Sequence, residues 1–78
     1  MKEIYILKVA YEYEGSDVIG VFTGLNQALK GMRDYMSLNS FYDSFIVEKV
    51  YPNQVYDEIT QYQSYDANGT LIKNGMAL

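Results

Sequence analysis

The 78-residue sequence contains no Cys, His or Trp, but it has nine Tyr and ten carboxylates against six Lys and Arg, which gives a net charge of −4. Without His or Cys the chain has no proton shuttle near neutral pH, no thiolate nucleophile and no usual zinc or copper ligand, so we expect no enzyme and no cofactor. Its scattered basic residues argue against direct nucleic-acid binding, and the acidic charge favours a protein partner with a basic surface.

The chain opens with a predicted β-hairpin. Alternate positions of residues 4–13 are β-favouring: Tyr5, Leu7, Val9, Tyr11 and Tyr13. A period of two is that of a strand, because successive side chains point to opposite faces of a sheet. Residues 14–17 have the composition of a turn and residues 18–22 are apolar, so we expect a second strand that returns along the first.

One helix is predicted after Thr23, which stands where an N-cap residue is expected. Apolar residues recur at helical spacing on one face: Leu25, Ala28, Leu29, Met32, Tyr35 and Met36. Gly31 lies inside this helix, where glycine costs about 1 kcal/mol relative to alanine. It is either a weak point or a position where the helix packs close to the sheet, and we favour close packing.

Three further strands are predicted at residues 45–51, 55–65 and 70–73, with a hairpin loop in which Asn68 and Gly69 can adopt positive φ. The order ββαβββ predicts an α+β fold with two layers, an antiparallel sheet and one helix on one of its faces. We interpret residues 1–78 as a single domain with a ββαβ core at 3–52, an added hairpin at 55–73 and a frayed tail at 74–78.

The core also has a family resemblance. The residues that show it are Tyr5-Ile6-Leu7, Tyr11-Glu12-Tyr13, Ile19-Gly20-Val21-Phe22-Thr23, Ala28 in the helix, and Asp43-Ser44-Phe45-Ile46-Val47-Glu48. Together they resemble a family of small uncharacterised bacterial and phage proteins with a ββαβ core, over residues 4–51. The resemblance implies this fold, but no activity and no functional residues. The segment from Val55 onward departs from the pattern, so we expect any specific recognition there.

Two groups of residues are candidate contacts for a partner. Glu12, Glu14 and Asp17 lie in a stretch from residue 9 to 29 with no basic residue, which favours contact with a basic surface. Tyr56, Glu58, Thr60 and Tyr62 alternate along the predicted fourth strand. Such an amphipathic strip is typical of interfaces, although an ordinary edge strand has the same pattern. The carboxylate pairs at 12/14 and 57/58 are expected to be solvated rather than to act as acid and base or to bind a cation.

A second sheet face is also apolar. Ile4, Ile6 and Ala10 oppose Leu7 and Val9 in the first strand, and Ile46 and Val50 oppose Phe45 and Val47 in the third. Strands that are apolar on both sides are normally covered on both sides, and one helix covers only one. The other face is therefore a candidate for a homo-oligomer or a partner, unless the tail or long Tyr side chains cover it.

These observations predict a small acidic, non-enzymatic protein-binding module. Its most concrete version is a phage or mobile-element inhibitor of a host nuclease or defence complex, resembling an anti-CRISPR protein that mimics nucleic acid with its carboxylates. The alternative is a homo-oligomeric protein that binds a small ligand on the exposed sheet face. The absence of Cys and of a signal or membrane segment favours the cytoplasm, that of the host cell if the protein is phage-encoded, and no membrane partner.

Overall fold

The computed structural model describes residues 2–56 and 61–74 of the chain. The elements are β1 (Ile4–Tyr11), β2 (Gly15–Phe22), α1 (Leu25–Leu38), β3 (Ser44–Val50), β4 (Gln61–Asp66) and β5 (Leu71–Asn74). The predicted two-layer α+β architecture and the order ββαβββ are confirmed. Within the described ranges, no helix combines the length and hydrophobicity that spanning a membrane would need.

The five strands form one antiparallel sheet in the spatial order β2-β1-β3-β4-β5. The β-hairpin of β1 and β2 forms one side of the sheet, and α1 then crosses over so that β3 pairs with the free edge of β1. The helix packs against β1 and β2. The face of the sheet that α1 covers is called the helix face below, and the opposite one the open face.

The core lies between α1 and the helix face. Its buried residues are Tyr5, Leu7, Val9, Ala28, Met32, Phe45, Val47 and Tyr65. The alternation along β1 follows the prediction, since every second residue from Tyr5 to Val9 is buried. All six residues of the predicted apolar face of α1 are buried or half-buried, which confirms that face as well.

Gly31 lies against the ring of Phe22, a residue of β2. A Cβ atom at this position would lie 2.5 Å from Cζ of Phe22, and one at Gly20 would lie 2.5 Å from Cε2 of the same ring. Real Cβ atoms do not come so close to a neighbour, so the Phe22 ring occupies space that two glycines leave free. The interpretation of Gly31 as a close-packing position is confirmed.

Three predicted boundaries in the first half of the chain are wrong. β1 ends at Tyr11 rather than at residue 13, and β2 already begins at Gly15, which takes a left-handed φ of 81°. The turn is therefore Glu12 to Glu14, and pairing resumes where glycine can adopt that φ. The helix begins at Leu25 with Gly24, not Thr23, at the N-cap and without a side-chain capping hydrogen bond.

The second hairpin also differs from its prediction. Val55 and Tyr56 are not in a strand, and β4 begins at Gln61 rather than at residue 55. A turn follows β3, with Asn53 at φ 63°, and the Tyr56 hydroxyl then accepts a hydrogen bond of 2.7 Å from the Tyr51 N–H. This contact holds the chain in a local loop instead of a strand. The predicted fraying of residues 75–78 lies outside the described residues.

The loop of the second hairpin follows its prediction in part. Gly69 has a φ of 81°, whereas Asn68 has no positive φ. Asp66 stabilises the loop, because its Oδ1 accepts hydrogen bonds from the N–H groups of Asn68 at 2.8 Å and Thr70 at 3.0 Å. Asn74, predicted as part of the tail, is the last residue of β5.

Candidate functional site

Strand register brings carboxylates from three separate turns to one end of the sheet. Ala10 pairs with Ser16 on one side and with Ser44 on the other, and Ser44 in turn pairs with Asp66. The turn between β1 and β2, the loop before β3 and the turn after β4 therefore lie at the same end of the sheet. We call this region the acidic end, and its carboxylates are Glu12, Glu14, Asp17, Asp43 and Asp66.

The acidic end offers unneutralised negative charge. Glu12, Glu14 and Asp17 are exposed, and the two ion pairs found in residues 2–56 and 61–74, Lys8–Glu48 and Lys30–Asp34, involve other carboxylates. Four adjacent strands, from β2 to β4, span about 14 Å at the usual spacing. In the part of the chain that the structure describes, no three acidic groups converge closely enough to hold a metal ion. The charges therefore form a broad negative surface rather than a chelating site.

Two carboxylates of the acidic end have structural partners. Asp43 Oδ2 accepts a 2.6 Å hydrogen bond from the Glu12 N–H, and the Asp43 N–H donates to the Ala10 carbonyl at 3.2 Å. Asp66 bonds to its own hairpin loop, as described above. Asp43 thus fixes the turn that presents Glu12 and Glu14 against the loop before β3, which gives the predicted charged residues a defined position.

Exposed aromatic rings lie beside these charges. Tyr13, in the turn, is 91% exposed, and Phe41, in the loop before β3, is 70% exposed. The Phe41 ring stacks on Tyr11 with centroids 5.6 Å apart and an angle of 20° between the planes. Tyr11 shares a hydrogen bond with Tyr35, whose ring makes an edge contact with buried Phe45 at 6.0 Å. The surface ring of Phe41 is therefore connected to the core through an ordered chain of aromatic contacts.

Tyr11 has a strongly altered acidity. The hydrogen bond with Tyr35 raises the pKa of Tyr11 to about 12, with smaller contributions from partial desolvation and from the charges of Asp17 and Glu14. Burial is the main reason that the pKa values of Tyr5 and Tyr65 are also raised from 10.0. These phenols stay protonated at neutral pH and act as neutral packing and hydrogen-bonding groups.

The predicted strip of Tyr56, Glu58 and Tyr62 does not form on one strand face. Tyr62 is the extra residue of a bulge in β4, where Val47 pairs with Gln63 and Glu48 with Gln61. Tyr62 consequently packs against the core. Tyr56 lies in the loop after β3, and Glu58 lies outside the described residues.

Tyr62 also lies far from the acidic end. Its ring makes an edge contact with Tyr5 at 5.8 Å, and the Lys49 ammonium lies 5.2 Å from its centroid. Tyr5 and Lys49 pair at the opposite end of β1 and β3 from the acidic end. The structure therefore separates the two halves of the predicted site, the charged residues and the Tyr residues.

Sequence reasoning missed Phe41, Asp43 and Asp66 as neighbours of Glu12 and Glu14. The one signal in the sequence was Phe41 itself, because a large apolar residue among the polar residues of a short loop is typical of a contact site. Their proximity depends on the order β2-β1-β3-β4, which the local sequence pattern does not specify.

The open face is the second candidate surface. Register places these residues on it: Ile4, Ile6, Lys8 and Ala10 of β1, Val18 and Val21 of β2, and Ile46, Glu48 and Val50 of β3. No described helix or strand covers this face, because α1 packs on the other one. The Lys8 Nζ and Glu48 Oε2 atoms form an ion pair of 3.4 Å near its middle. The open face thus has apolar residues around one ion pair, and register also places Ser16, Ser44 and Ser64 on it.

No family model matches this chain, and no curated protein or solved structure matches it either. The resemblance of residues 4–51 to small bacterial and phage proteins stays a prediction.

Proposed function

We propose that this protein is an acidic, non-enzymatic binding module that docks its acidic end on a basic surface of a protein partner. The observation that supports this function best is the convergence of Glu12, Glu14 and Asp17 with the exposed rings of Tyr13 and Phe41. Convergence matters because the turn after β1 and the loop before β3, which are distant in sequence, contribute to one surface. The turns are held to each other by hydrogen bonds, so the surface is ordered before a partner arrives.

The two kinds of side chain have different roles in this proposal. The carboxylates attract a basic partner and orient it, an effect that acts mainly on the association rate and weakens with salt. Phe41 and Tyr13 provide contact area, and aromatic rings next to carboxylates suit Arg or Lys side chains, which bond to the acid and stack on the ring. Dissociation is expected to depend on the aromatic contacts more than on the charges.

The most concrete version is an inhibitor of a nucleic-acid-handling protein, such as a host nuclease or defence complex encountered by a phage. A basic groove that neutralises phosphates can also accept carboxylates, so the acidic end would occupy the nucleic-acid site. The protein then acts by occupancy alone. This version predicts that a partner loses its nucleic-acid binding when this protein is bound, and that added nucleic acid displaces the protein.

The test compares two variants of equal charge. Glu12→Gln/Glu14→Gln removes two charges from the acidic end, whereas Glu3→Gln/Asp34→Asn removes two from elsewhere. A partner recovered from the native host with the wild-type protein is purified and titrated with both variants at low and moderate salt. We expect the first variant to bind about tenfold more weakly and with a flatter salt dependence, and the control to bind like the wild type. Equal affinity and equal salt dependence of the two variants would contradict docking through the acidic end.

Adding Asp17→Asn or Phe41→Ala separates the contributions. Asp17→Asn should make the affinity for the partner still less dependent on salt, because it removes a third charge from the same surface. Phe41→Ala leaves the charges in place, so it should accelerate dissociation and leave the salt dependence as it is. Because the Phe41 ring is 70% exposed, its removal should leave the sheet folded, and protection of the Glu12 N–H from hydrogen exchange shows whether the turn keeps its order without the stacking on Tyr11.

A homo-oligomeric small-ligand-binding protein is the second candidate, and the uncovered open face favours it. A ligand bound only by the folded state raises the melting temperature, by an amount that corresponds to about 2.7 kcal/mol when its concentration is 100 times its dissociation constant. A panel of nucleotides and metabolites tested by thermal unfolding therefore separates the candidates. A specific, saturable stabilisation would favour the ligand-binding protein over the protein-binding module.

A further inference from the structure

The open face combines an apolar surface with balanced charge. Val18 and Val21 of β2 are 58% and 63% exposed on it, and Ile6 and Ile46 lie further in, on β1 and β3. Residues of this type on a sheet surface are ordinarily covered by a second layer. The helix supplies that layer on the helix face alone, so no described helix or strand packs on the nine residues of the open face named above, seven of which are apolar.

The charges on this face suit a second copy of the same chain. The molecule has a net charge of −4, so two copies repel each other at their acidic ends. The open face differs, because the Lys8 ammonium and the Glu48 carboxylate near its middle form an ion pair and their charges cancel. A surface with equal numbers of both signs can be complementary to itself under a two-fold axis, whereas an acidic or basic partner would meet a net-neutral face.

The size of the face sets the expected strength of such an association. Five strands, each about 4.8 Å wide, cover about 24 Å across the sheet and about 20 Å along the strands, which gives roughly 500 Å² of sheet face per copy. Two copies would then bury roughly 1,000 Å² in total, the lower limit for a specific interface. A dimer of this size is expected to be in exchange with the monomer at about micromolar concentrations.

We propose that the open face is the interface of a two-fold dimer, in which two sheets pack face to face. Lys8 of each copy lies opposite Glu48 of the other, and the surrounding residues, Ile6, Ile46 and Val21 among them, pack across the axis. The sheet of the second copy then covers the open face, just as α1 covers the helix face. This inference goes beyond the proposed function, because the acidic end remains free in such a dimer.

Pairing through strand edges is the competing arrangement, and the structure disfavours it. β2 and β5 are the edges of the sheet. β2 has a bulge at Ile19, where Leu7 pairs with Gly20 but Lys8 with Val18, and β5 is a strand of four residues with its own register shift. Bulges and short edge strands are features by which sheets avoid edge-to-edge association.

The first experiment measures mass against concentration by sedimentation equilibrium. The wild type should change from the 9.0 kDa monomer toward twice that mass as its concentration rises through the micromolar range. Val21→Glu places a charge on an already exposed position of the open face, so it should raise the dissociation constant at least tenfold. The matched control, Leu38→Glu, places the same charge at an 82% exposed position at the end of α1 and should leave the dimer unchanged.

A charge-reversal pair tests the two-fold geometry. Lys8→Glu alone gives a face with two negative charges, and Glu48→Lys alone gives one with two positive charges. Each variant should be monomeric by itself, whereas an equimolar mixture should form a heterodimer, because every cross-interface pair is again of opposite sign. The double variant Lys8→Glu/Glu48→Lys should dimerise with itself. It therefore tests the geometry even if circular dichroism shows that one of the single variants is unfolded.

Three results would overturn the proposal. They are a wild type that stays at 9.0 kDa up to millimolar concentration, a dimer that Val21→Glu does not weaken, and assemblies larger than a dimer. The outcome is independent of the proposed function. Binding of a basic partner at the acidic end does not require Val21, and a dimer can form whether or not the acidic end has a partner.

Discussion

At the residue scale, the contact of Phe22 with two glycines explains how α1 comes close to the sheet. Gly20 in β2 and Gly31 in α1 lie on either side of one ring, and neither position has space for a Cβ atom. Glycine is unfavourable in both a strand and a helix, so its presence at both places indicates that packing of the ring outweighs local propensity.

Gly31→Ala should destabilise the protein even though alanine is the better helix former. The gain in helix propensity is about 1 kcal/mol. The added methyl group, however, must displace the Phe22 ring in a close-packed layer, which costs about 1–3 kcal/mol. We expect a net loss in the free energy of unfolding, measured by urea denaturation, and recovery when Phe22→Leu is combined with Gly31→Ala. The control Ser37→Ala, at an exposed position of α1, should be neutral or stabilising, and greater stability of Gly31→Ala would contradict the packing argument.

At the element scale, the turn between β1 and β2 and the loop before β3 behave as one unit. Their connection is the hydrogen bond from the Glu12 N–H to Asp43, and the stacking of Phe41 on Tyr11 adds a second contact. Both elements protrude from the end of the sheet, where no strand partner can stabilise them. The acidic end therefore depends on these contacts for its order.

Asp43→Ala should loosen this unit without unfolding the sheet. A hydrogen bond to a charged group contributes about 1.5–3 kcal/mol when buried, and at this exposed position we expect about 1 kcal/mol or less. The clearest measurement is amide hydrogen exchange, in which the Glu12 N–H should lose protection while the N–H groups in the middle of β1 keep theirs. Asp34→Ala is the control, because that carboxylate pairs only with Lys30 on the surface of α1. Unchanged protection of Glu12 would show that Asp43 does not order the turn.

At the scale of the whole molecule, its surfaces differ in the kind of residue that they present. The acidic end presents charge and exposed rings, the open face presents apolar residues around one ion pair, and the helix face forms the core. A face-to-face dimer would hold two acidic ends in one particle, so a partner with repeated basic sites would be bound with avidity. The proposed function and the proposed dimer are therefore compatible, although neither requires the other.

Global stability should fall at alkaline pH because of the tyrosines. In the unfolded chain Tyr11, Tyr5 and Tyr65 titrate near the ordinary pKa of 10.0, whereas in the folded protein all three pKa values are raised, that of Tyr11 to about 12. Between these values the unfolded state loses protons first. The raised pKa values thus contribute fully to the free energy of unfolding below pH 10, and this contribution is lost as the pH rises toward 12. Melting temperatures measured across this range should decline.

Tyr35→Phe identifies the source of this pH dependence. The variant removes the hydrogen bond that is the main cause of the raised pKa of Tyr11, so the decline above pH 10 should become shallower. Tyr13→Phe is the control, since Tyr13 is almost fully exposed. If the melting temperatures of Tyr35→Phe and the wild type declined in parallel above pH 10, the Tyr11–Tyr35 hydrogen bond would not be the source of the pH dependence.

Much of the fold could be read from local patterns, and the errors have specific physical causes. The alternation along β1 and the helical spacing of α1 predicted the buried faces correctly, because burial follows the period of the backbone. The strip of Tyr56 and Tyr62 failed because one extra residue in β4 turns Tyr62 toward the core, and alternation gives no sign of a bulge. Thr23 was a reasonable N-cap by residue type, but the chain begins its helix one residue later.

Local sequence patterns were enough to predict the helix, the five strands and a second apolar sheet face, and composition alone shows the acidic charge and the lack of His and Cys. Each of these depends on composition or on neighbours within a few positions. Packing of the folded chain places Glu12 and Glu14 beside Phe41 and Asp43, and it places Tyr62 at the other end of the sheet. Strand order and register join residues that are tens of positions apart, and they are selected by packing of the whole core rather than by any local preference.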